Sequence, residues 1–173
     1  GTDVVFNNAG YALTGALESI SDDKMVRQIN TNLLGTLRVT QAFIPYFRQR
    51  RNGLFIATTS IGGIYTFPLN SLYHATKWAL EGWSESMSFE LAAFNIGIKT
   101  IAPGGIITDF MDRSLDANSL PEYQQLENKV ANGMSEGLKT ASTAEQIAEV
   151  VYEAATDGKD QVRYVAGADA KAM

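Results

Sequence analysis

The stretch "GLFIATTSIGGIYTFPLNSLYHATK" (residues 53–77) joins a strand, a loop and the start of a helix. Its first part, "GLFIATT" (53–59), is a short apolar run, which is typical of a strand buried on both faces. "SIGG" follows as a loop, because Ser and Gly favour turns. A helix is predicted from Asn70 to Phe94, so the stretch predicts a strand that leads into a helix.

The same alternation continues on both sides of this stretch. Further strands are predicted at "DVVFN" (3–7), "GIKTIA" (97–102) and "VRYVAG" (162–167). Short apolar strands that alternate with helices are typical of a parallel sheet. The fold class predicted for residues 1–173 is therefore α/β, in a single domain whose sheet is covered by helices on both faces.

Two helix starts are predicted from their capping residues. Ser21, followed by two Asp, is expected to cap a long helix that runs to about Arg50. The pattern from Ser142 to Glu145 is that of a capping box, and apolar residues follow it at helical spacing. The part from about 108 to 140 is polar and predicted to be irregular, with a helix from Pro121.

Composition excludes several classes of protein. The 173 residues are 45% hydrophobic, which fits one globular domain with a core. A formal net charge of −5 argues against nucleic acid or an anionic membrane surface as the main partner. The sequence has no Cys and hence no disulfide, thiolate nucleophile or Cys-based zinc site. No apolar run approaches the ~20 residues of a membrane span, and we expect a cytoplasmic protein.

Chemically suggestive residues follow three of the predicted strands. Asn8, Ala9 and Gly10 follow the first, Ser60 the second, and Pro103 and Gly104 the third. In parallel sheets of this kind, ligands bind across the carboxyl ends of the strands. These segments are therefore expected to meet at one edge of the sheet and to form a binding site there.

Tyr73 and Lys77 lie one helical turn apart in the helix after the second strand, so they project from one face. A phenol has a pKa near ~10 and is a poor base at neutral pH. A neighbouring ammonium favours the phenolate, which would make Tyr73 usable as a general acid or base on a substrate oxygen. Ser60 could hydrogen-bond the same oxygen. No side chain supplies a hydride, so a nicotinamide is expected to do so.

Five motifs in this order resemble the short-chain dehydrogenase/reductase family along nearly the whole chain. They are "NNAG" (7–10), "INTNLLGT" (29–36), "TTSIGG" (58–63), "YHATK" (73–77) and "PGGIIT" (103–108). Each motif by itself is ordinary, since Ser60 alone would be interpreted as a turn residue and Gly10 or Gly104 as turn glycines. Together the motifs imply a Rossmann-like doubly wound sheet and an oxidoreductase.

The resemblance also implies roles for individual residues. The family's catalytic tetrad falls on Asn32, Ser60, Tyr73 and Lys77. Tyr73 would be the general acid/base and Ser60 would orient the substrate oxygen. Lys77 would bind the nicotinamide ribose and lower the Tyr73 pKa, and Asn32 would hold a water of a proton relay. The positions implied to bind the cofactor are Asn8, Ala9, Gly10, Tyr73, Lys77, Pro103, Gly104, Ile106 and Thr108.

One part of the family pattern does not occur in these residues. The Gly-rich phosphate loop of such enzymes lies on an earlier strand, and no G-x-x-x-G-x-G is present. The implied cofactor is therefore NAD or NADP, with the choice left open. We expect a longer natural protein, with roughly 70 to 80 further residues at the N-terminus, the size of one nucleotide-binding half, and some after Met173.

Three functions are compatible with the motifs. The first is a nicotinamide-dependent alcohol dehydrogenase or carbonyl reductase. The second is a nucleotide-sugar epimerase or dehydratase of the related extended group, which the short segment after the third strand disfavours. The third is a non-catalytic binding or regulatory protein on the same fold, which the intact tetrad disfavours. No metal site is predicted.

Two further regions are expected to contact the substrate and a second subunit. The segment from 109 to 137 is expected to cover the substrate, with Phe110, Met111 and Leu115 as apolar lining. An alcohol or ketone of apolar or mixed character is favoured. The two long helices carry more apolar surface than one sheet face would cover, through Leu33, Leu37, Phe43, Trp78, Trp83 and Met87. Relatives pair these helices across a two-fold axis, so a homodimer or a homotetramer built from it is expected. His74 is rotated about 100° from Tyr73 around the helix and is interpreted as uninvolved.

Overall fold

Eight strands and seven α-helices alternate along the computed structural model, which describes residues 1–173. The strands are β1 (Val4–Asn7), β2 (Ala12–Thr14), β3 (Gly53–Thr58), β4 (Ile96–Pro103), β5 (Ile106–Ile107), β6 (Leu115–Ala117), β7 (Ser142–Thr143) and β8 (Arg163–Ala166). The helices are α1 (Asp22–Ile29), α2 (Gly35–Arg50), α3 (Ser71–Ala92), α4 (Phe110–Arg113), α5 (Gln124–Leu138), α6 (Ala144–Thr156) and α7 (Ala168–Lys171).

Four of the strands form the main sheet, in the spatial order β1-β3-β4-β8. Every neighbouring pair is parallel. The chain therefore crosses back over one face of the sheet between one strand and the next. β3 and β4 are the inner strands, and their side chains point alternately to the two faces. Phe55 therefore packs on one face of β3 and Ile56 on the other.

Both faces of this sheet carry an apolar core. One face packs on α2 and α3, through Val5, Phe47, Phe55, Leu91, Ile96 and Ile98. The other packs on α6, through Ile56, Ile101, Ile147, Ala154, Tyr164 and Ala166. This arrangement confirms the predicted α/β class, a Rossmann-like parallel sheet with helices on both sides.

The long helix predicted from Ser21 to about Arg50 is interrupted by a π-helical turn at Asn30–Leu34, between α1 and α2. Ser21 does precede α1, but its hydroxyl makes no capping hydrogen bond. Asp22 and Asp23 occupy the first turn instead, where negative charge interacts favourably with the helix dipole.

The capping box before α6 lies one residue later than predicted. Thr143 is the N-cap, and it exchanges hydrogen bonds with Gln146. Ser142 is unsuited to this role because it is buried in β7, where its N–H donates to the carbonyl of Gly105. The pairing of β7 with β5 therefore sets the start of the helix.

The part from about 108 to 140 is more ordered than predicted. β5 lies just before it, and it contains α4 and β6 ahead of a 3-10 turn at Pro121–Tyr123 that leads into α5. β6 pairs in parallel with β2, and Lys24 of α1 holds it through Asp116, 2.8 Å away. This segment is therefore folded onto the chain that follows β1.

No helix has both the length and the apolar composition that a membrane crossing requires.

Candidate functional site

Tyr73 and Lys77 lie in the first two turns of α3, on the same face, as their spacing predicted. The Lys77 ammonium is buried and donates a hydrogen bond to the carbonyl of Thr58, 2.8 Å away. Its nitrogen lies 5.7 Å from the centre of the Tyr73 ring. Thr58 ends β3, so the end of this strand fixes the lysine below the phenol.

Burial governs the charge of Lys77. It lowers the pKa of the ammonium to about 8, because the charged form loses its hydration. The Glu81 carboxylate, one turn further along α3, opposes this effect by favouring the charged form. Lys77 therefore titrates much closer to neutral pH than an ordinary lysine.

Glu81 is itself buried in a network that spans three strands. Its carboxylate accepts hydrogen bonds from the hydroxyls of Thr59, at 2.5 Å, and Thr100, at 3.1 Å. Arg163 of β8 donates to the same carboxylate at 2.7 Å. Glu81 is not among the site residues predicted from the sequence, although its position four residues after Lys77 places both side chains on one helix face.

Ser60 follows β3 as predicted and lies beside Tyr73. Its hydroxyl accepts a hydrogen bond from the N–H of Gly62 at 3.0 Å, in the 3-10 turn at Ile61–Gly63. Burial raises the pKa of the Tyr73 phenol, and the nearby Ser60 hydroxyl lowers it in part. Lys77 does not contribute to this shift of the Tyr73 pKa, and its ammonium bonds to the Thr58 carbonyl.

Asn32 occupies the π-helical turn and is buried. Its side chain accepts from the N–H of Tyr11 at 3.0 Å and donates to the carbonyl of the same residue at 2.8 Å. A Cβ atom at Gly10 would lie 3.3 Å from the Asn32 carbonyl oxygen and 3.8 Å from the Lys77 nitrogen. Asn32, Gly10 and Lys77 therefore meet at one point, behind the turn that follows β1.

The turn after β1 is fixed to the neighbouring strand. Asn8 accepts a hydrogen bond from the Thr58 hydroxyl at 2.7 Å. Asn8 and Ala9 are exposed, whereas Gly10 is half-buried. The structure thus brings this predicted turn to the same edge of the sheet as Ser60 and Lys77.

The turn after β4 begins at Pro103, which is buried and pairs with Ala166. Asp169 of α7 accepts a hydrogen bond from the N–H of Gly105 at 2.7 Å, and its second oxygen is buried without a partner. A side chain at Gly104 would collide with this carboxylate. Asp169 is not among the site residues predicted from the sequence.

Two predicted cofactor contacts lie beyond this turn. Ile106 is half-buried in β5, and Thr108 is exposed, with its hydroxyl accepting from the N–H of Phe110 at 3.3 Å. The structure places both on the segment that leads from the sheet edge into α4.

A cavity of about 660 Å³ adjoins this cluster. Its lining combines the turn after β1 with the segment around β6, and it includes Gly10, Tyr11, Arg27, Arg113 and Leu115. Ser60, Tyr73 and Lys77 are not among the lining residues. Leu115 lines this cavity, whereas Phe110 is 36% exposed.

His74 is interpreted from the sequence as uninvolved, but in the structure it makes contacts with the loop that carries Ser60. The imidazole is buried, and both of its nitrogens bond to backbone groups of the loop after Ser60. Those partners are main-chain atoms of Gly62 and Phe67, which no side-chain pattern in the sequence could reveal.

The fold and the cluster together define a class of protein. A parallel sheet with Ser, Tyr and Lys at its carboxyl edge is suited to proton transfer beside a bound dinucleotide. The family model described as short chain dehydrogenase matches residues 1–119. The chain belongs to this family of nicotinamide-dependent oxidoreductases, as its motifs implied.

Individual proteins show the same relationship. An uncharacterised oxidoreductase of Schizosaccharomyces pombe is 41% identical over 165 residues, which are 95% of this chain and 70% of that protein. A short-chain dehydrogenase from Streptomyces avermitilis is 28% identical, with a TM-score of 0.86 over 98% of this chain and 62% of that one. ElxO, solved with NADP bound, shares the fold at 24% identity, with a TM-score of 0.79 over 99% of this chain and 68% of that one.

Proposed function

We propose that the protein transfers a hydride between NAD or NADP and an alcohol or ketone, with Tyr73 as the general acid/base. The observation that carries this proposal is the joint placement of Ser60, Tyr73 and Lys77 at the end of β3, with the ammonium buried one helical turn from the phenol. Residues 1–173 would act as a single domain of the enzyme.

The residues present fit a nicotinamide cofactor. An ammonium has three donors, and Lys77 uses one of them on Thr58, so two remain for the hydroxyls of a ribose. Gly10 lets a ligand approach this nitrogen closely, because a side chain there would fill the space beside it. Pro103, Gly104, Ile106 and Thr108 would border the nicotinamide, and Asn8 and Ala9 would lie nearer the adenosine. The nicotinamide supplies the hydride that no side chain can supply.

Each catalytic side chain then has a distinct task. Ser60 donates a hydrogen bond to the substrate oxygen and holds it beside Tyr73. Tyr73 gives a proton to that oxygen during reduction, or removes it during oxidation. The Lys77 ammonium favours the phenolate form once the proton has left. Asn32 holds the turn at Tyr11 in place and would position a water of the proton relay.

The substrate is proposed to be an alcohol or ketone of apolar or mixed character. Leu115 and Met111 belong to the segment that folds over the chain after β1, and both are half-buried. The hydrogen bond from Tyr123 to Glu18, at 2.5 Å, ties the middle of this segment to the same part of the chain. Opening of the segment would admit the substrate.

A homodimer, or a homotetramer built from it, is proposed for the whole protein. Trp78 and Phe89 on α3 are 48% and 76% exposed, and Val39 on α2 is 41% exposed. Burial of such side chains against a second copy would remove apolar surface from water.

The function is tested by Tyr73→Phe in the whole protein. The ring remains while the exchangeable proton is lost, so we expect kcat/KM to fall more than tenfold and cofactor affinity to stay nearly unchanged. Tyr152→Phe is the matched control, because Tyr152 is 72% exposed on α6, on the far face of the sheet. A Tyr73→Phe enzyme that kept more than a tenth of its kcat/KM would refute the assignment.

A further inference from the structure

The imidazole of His74 has a defined hydrogen-bonding state. Its Nε2 atom accepts from the N–H of Phe67 at 2.8 Å, and a backbone N–H can only donate. Nε2 therefore carries no hydrogen. The proton is on Nδ1, which donates to the carbonyl of Gly62 at 2.6 Å. Only the neutral Nδ1–H tautomer satisfies both partners.

The peptide of Gly62 links His74 to Ser60. Its carbonyl accepts from the imidazole, and its N–H donates to the Ser60 hydroxyl at 3.0 Å. A Cβ atom at Gly62 would lie 2.9 Å from His74 Nδ1 and 3.3 Å from Ser60 Oγ, so the glycine fits closely between the two side chains. The orientation of the ring therefore constrains the turn that carries Ser60.

This constraint affects the part of Ser60 that faces Tyr73. A hydroxyl has one hydrogen and two lone pairs, and the Gly62 N–H occupies one lone pair. The hydroxyl hydrogen and the other lone pair remain for the phenol and for the substrate oxygen. If the Gly62 peptide rotated, its N–H would no longer hold the hydroxyl in this direction.

The second nitrogen of His74 holds the other end of the same loop. Phe67 lies five residues after Gly62, and its ring packs against the imidazole with 5.7 Å between ring centres. Tyr65 and Phe67 are 44% and 40% exposed, so few contacts with the core fix this loop. His74 thus joins both ends of the loop to α3.

We propose that His74 is a positioning residue, which aligns the Ser60 hydroxyl through the Gly62 peptide. The inference rests on the proposed function, in which Ser60 orients the substrate oxygen. Lys77 reaches Thr58 by a separate contact, so cofactor binding does not depend on His74. The loss of His74 therefore lowers kcat and leaves the KM for the nicotinamide unchanged.

Two substitutions separate the two hydrogen bonds. In His74→Asn the side-chain amide can take the place of Nδ1 and donate to Gly62. In His74→Gln the longer side chain can reach the place of Nε2 and accept from Phe67. We expect the whole enzyme to keep at least half of its kcat in His74→Asn and to lose at least tenfold in His74→Gln, with the nicotinamide KM within twofold in both.

A control variant tests whether a loss of stability by itself lowers kcat. Leu91→Ala creates a cavity at the far end of α3, where Leu91 is buried in the core. We expect it to lower Tm at least as much as His74→Gln without changing kcat. Equal kcat values for the two His74 variants, whether high or low, would overturn the proposal.

A second measurement does not depend on activity. His74 is the only histidine, so ¹⁵N-histidine labelling reports on this ring alone. We expect a protonated Nδ1 and an unprotonated Nε2, and a Gly62 amide resonance that moves in His74→Gln and not in His74→Asn. The opposite tautomer would overturn the inference. An enzyme without nicotinamide-dependent turnover would instead contradict the proposed function and leave this result standing.

Discussion

Two lysines of this protein are buried, and their charges have opposite effects on stability. Lys77 has one hydrogen-bond acceptor, and burial lowers its pKa to about 8. Lys99 is bonded to Asp157 at 2.7 Å and to Tyr164 at 3.1 Å. Burial would lower its pKa too, but these partners outweigh that effect and raise it. Of the two, only the charged form of Lys77 destabilises the folded protein.

This contrast predicts the effect of removing each ammonium. Holding the Lys77 ammonium charged with its pKa lowered to about 8 destabilises the fold by about 3 kcal/mol at neutral pH. Removal of the ammonium relieves this cost, and loss of the hydrogen bond to Thr58 offsets about 1 kcal/mol of the relief. Lys77→Met should therefore raise the free energy of unfolding by about 2 kcal/mol at pH 7. Lys99→Met should lower it, because Asp157 would lose its partner.

The pH dependence gives an independent check on Lys77. Between about pH 8 and 10.5 the unfolded chain keeps the Lys77 proton while the folded chain releases it, so the destabilising contribution of Lys77 decreases as pH rises through this window. The difference from Lys77→Met should shrink accordingly in urea titrations at pH 7 and 10. A constant difference would show that Lys77 has an ordinary pKa in the folded protein.

At this scale the sequence revealed side chains that act on one another and missed those that act on the backbone. Tyr73 and Lys77 are recognisable because a fixed helical spacing joins them. His74 bonds to a carbonyl and an amide, which every residue possesses, so its partners leave no trace in residue type. Asp169 is similar, since it bonds to the N–H of Gly105.

Among the elements, α6 is fixed to the sheet by a buried polar network at its end. Asp157 directly follows α6. Its carboxylate accepts a hydrogen bond from Lys99 of β4 at 2.7 Å and another from Tyr164 of β8 at 2.6 Å. These bonds hold the pKa of the Asp157 carboxyl well below its usual range. The network joins the edge strand β8 to its neighbour through side chains as well as through the backbone.

Acid should therefore weaken this end of the sheet. A carboxyl with a depressed pKa stabilises the fold above its unfolded pKa of about 3.9, and this contribution is lost as pH falls further. We expect Asp157→Asn to have a lower Tm than the unmodified protein at pH 7, and the two curves to converge below about pH 4. Circular dichroism melts would show this, with the exposed Asp160→Asn as the control.

The elements themselves were largely predictable, and their starts were not. The four strands of the main sheet were identified because buried parallel strands are continuous apolar runs. The capping box was placed at Ser142 because "STAEQ" (142–146) fits two frames, Ser with Glu or Thr with Gln. The pairing of Ser142 with Ile106 decides between them, and this contact is distant in sequence.

For the whole molecule, the surface of α2 and α3 is the feature that bears on assembly. Three residues predicted to contribute apolar surface, Phe43, Trp83 and Met87, pack partly against the core. Trp78 is 48% exposed and could still contact a second copy of the chain, as could Phe89 on the same helix, which is 76% exposed. The proposed interface is therefore narrower than the sequence suggested.

A charge at this surface should prevent the assembly. We expect the whole protein to be a dimer or tetramer in light scattering at micromolar concentration, and Phe89→Glu to be a monomer with an unchanged circular dichroism spectrum. Tyr152→Glu, on α6, should leave the assembly intact. An unmodified protein that is already monomeric under these conditions would show the prediction to be wrong.

The π-helical turn at Asn30–Leu34 holds one residue more than a regular helix would need. Removal of a single residue there would let α1 and α2 merge into one continuous helix. The residues of α1 would then be rotated by about 100° around the helix axis relative to α2. Gln28, which is buried and bonded to Leu13 and Tyr11, would swing away from both. Asn32 would no longer meet the turn at Tyr11. The contacts of Gln28 and Asn32 therefore require this exact number of residues, so a family member with one residue fewer here would have to hold the turn after β1 in a different way.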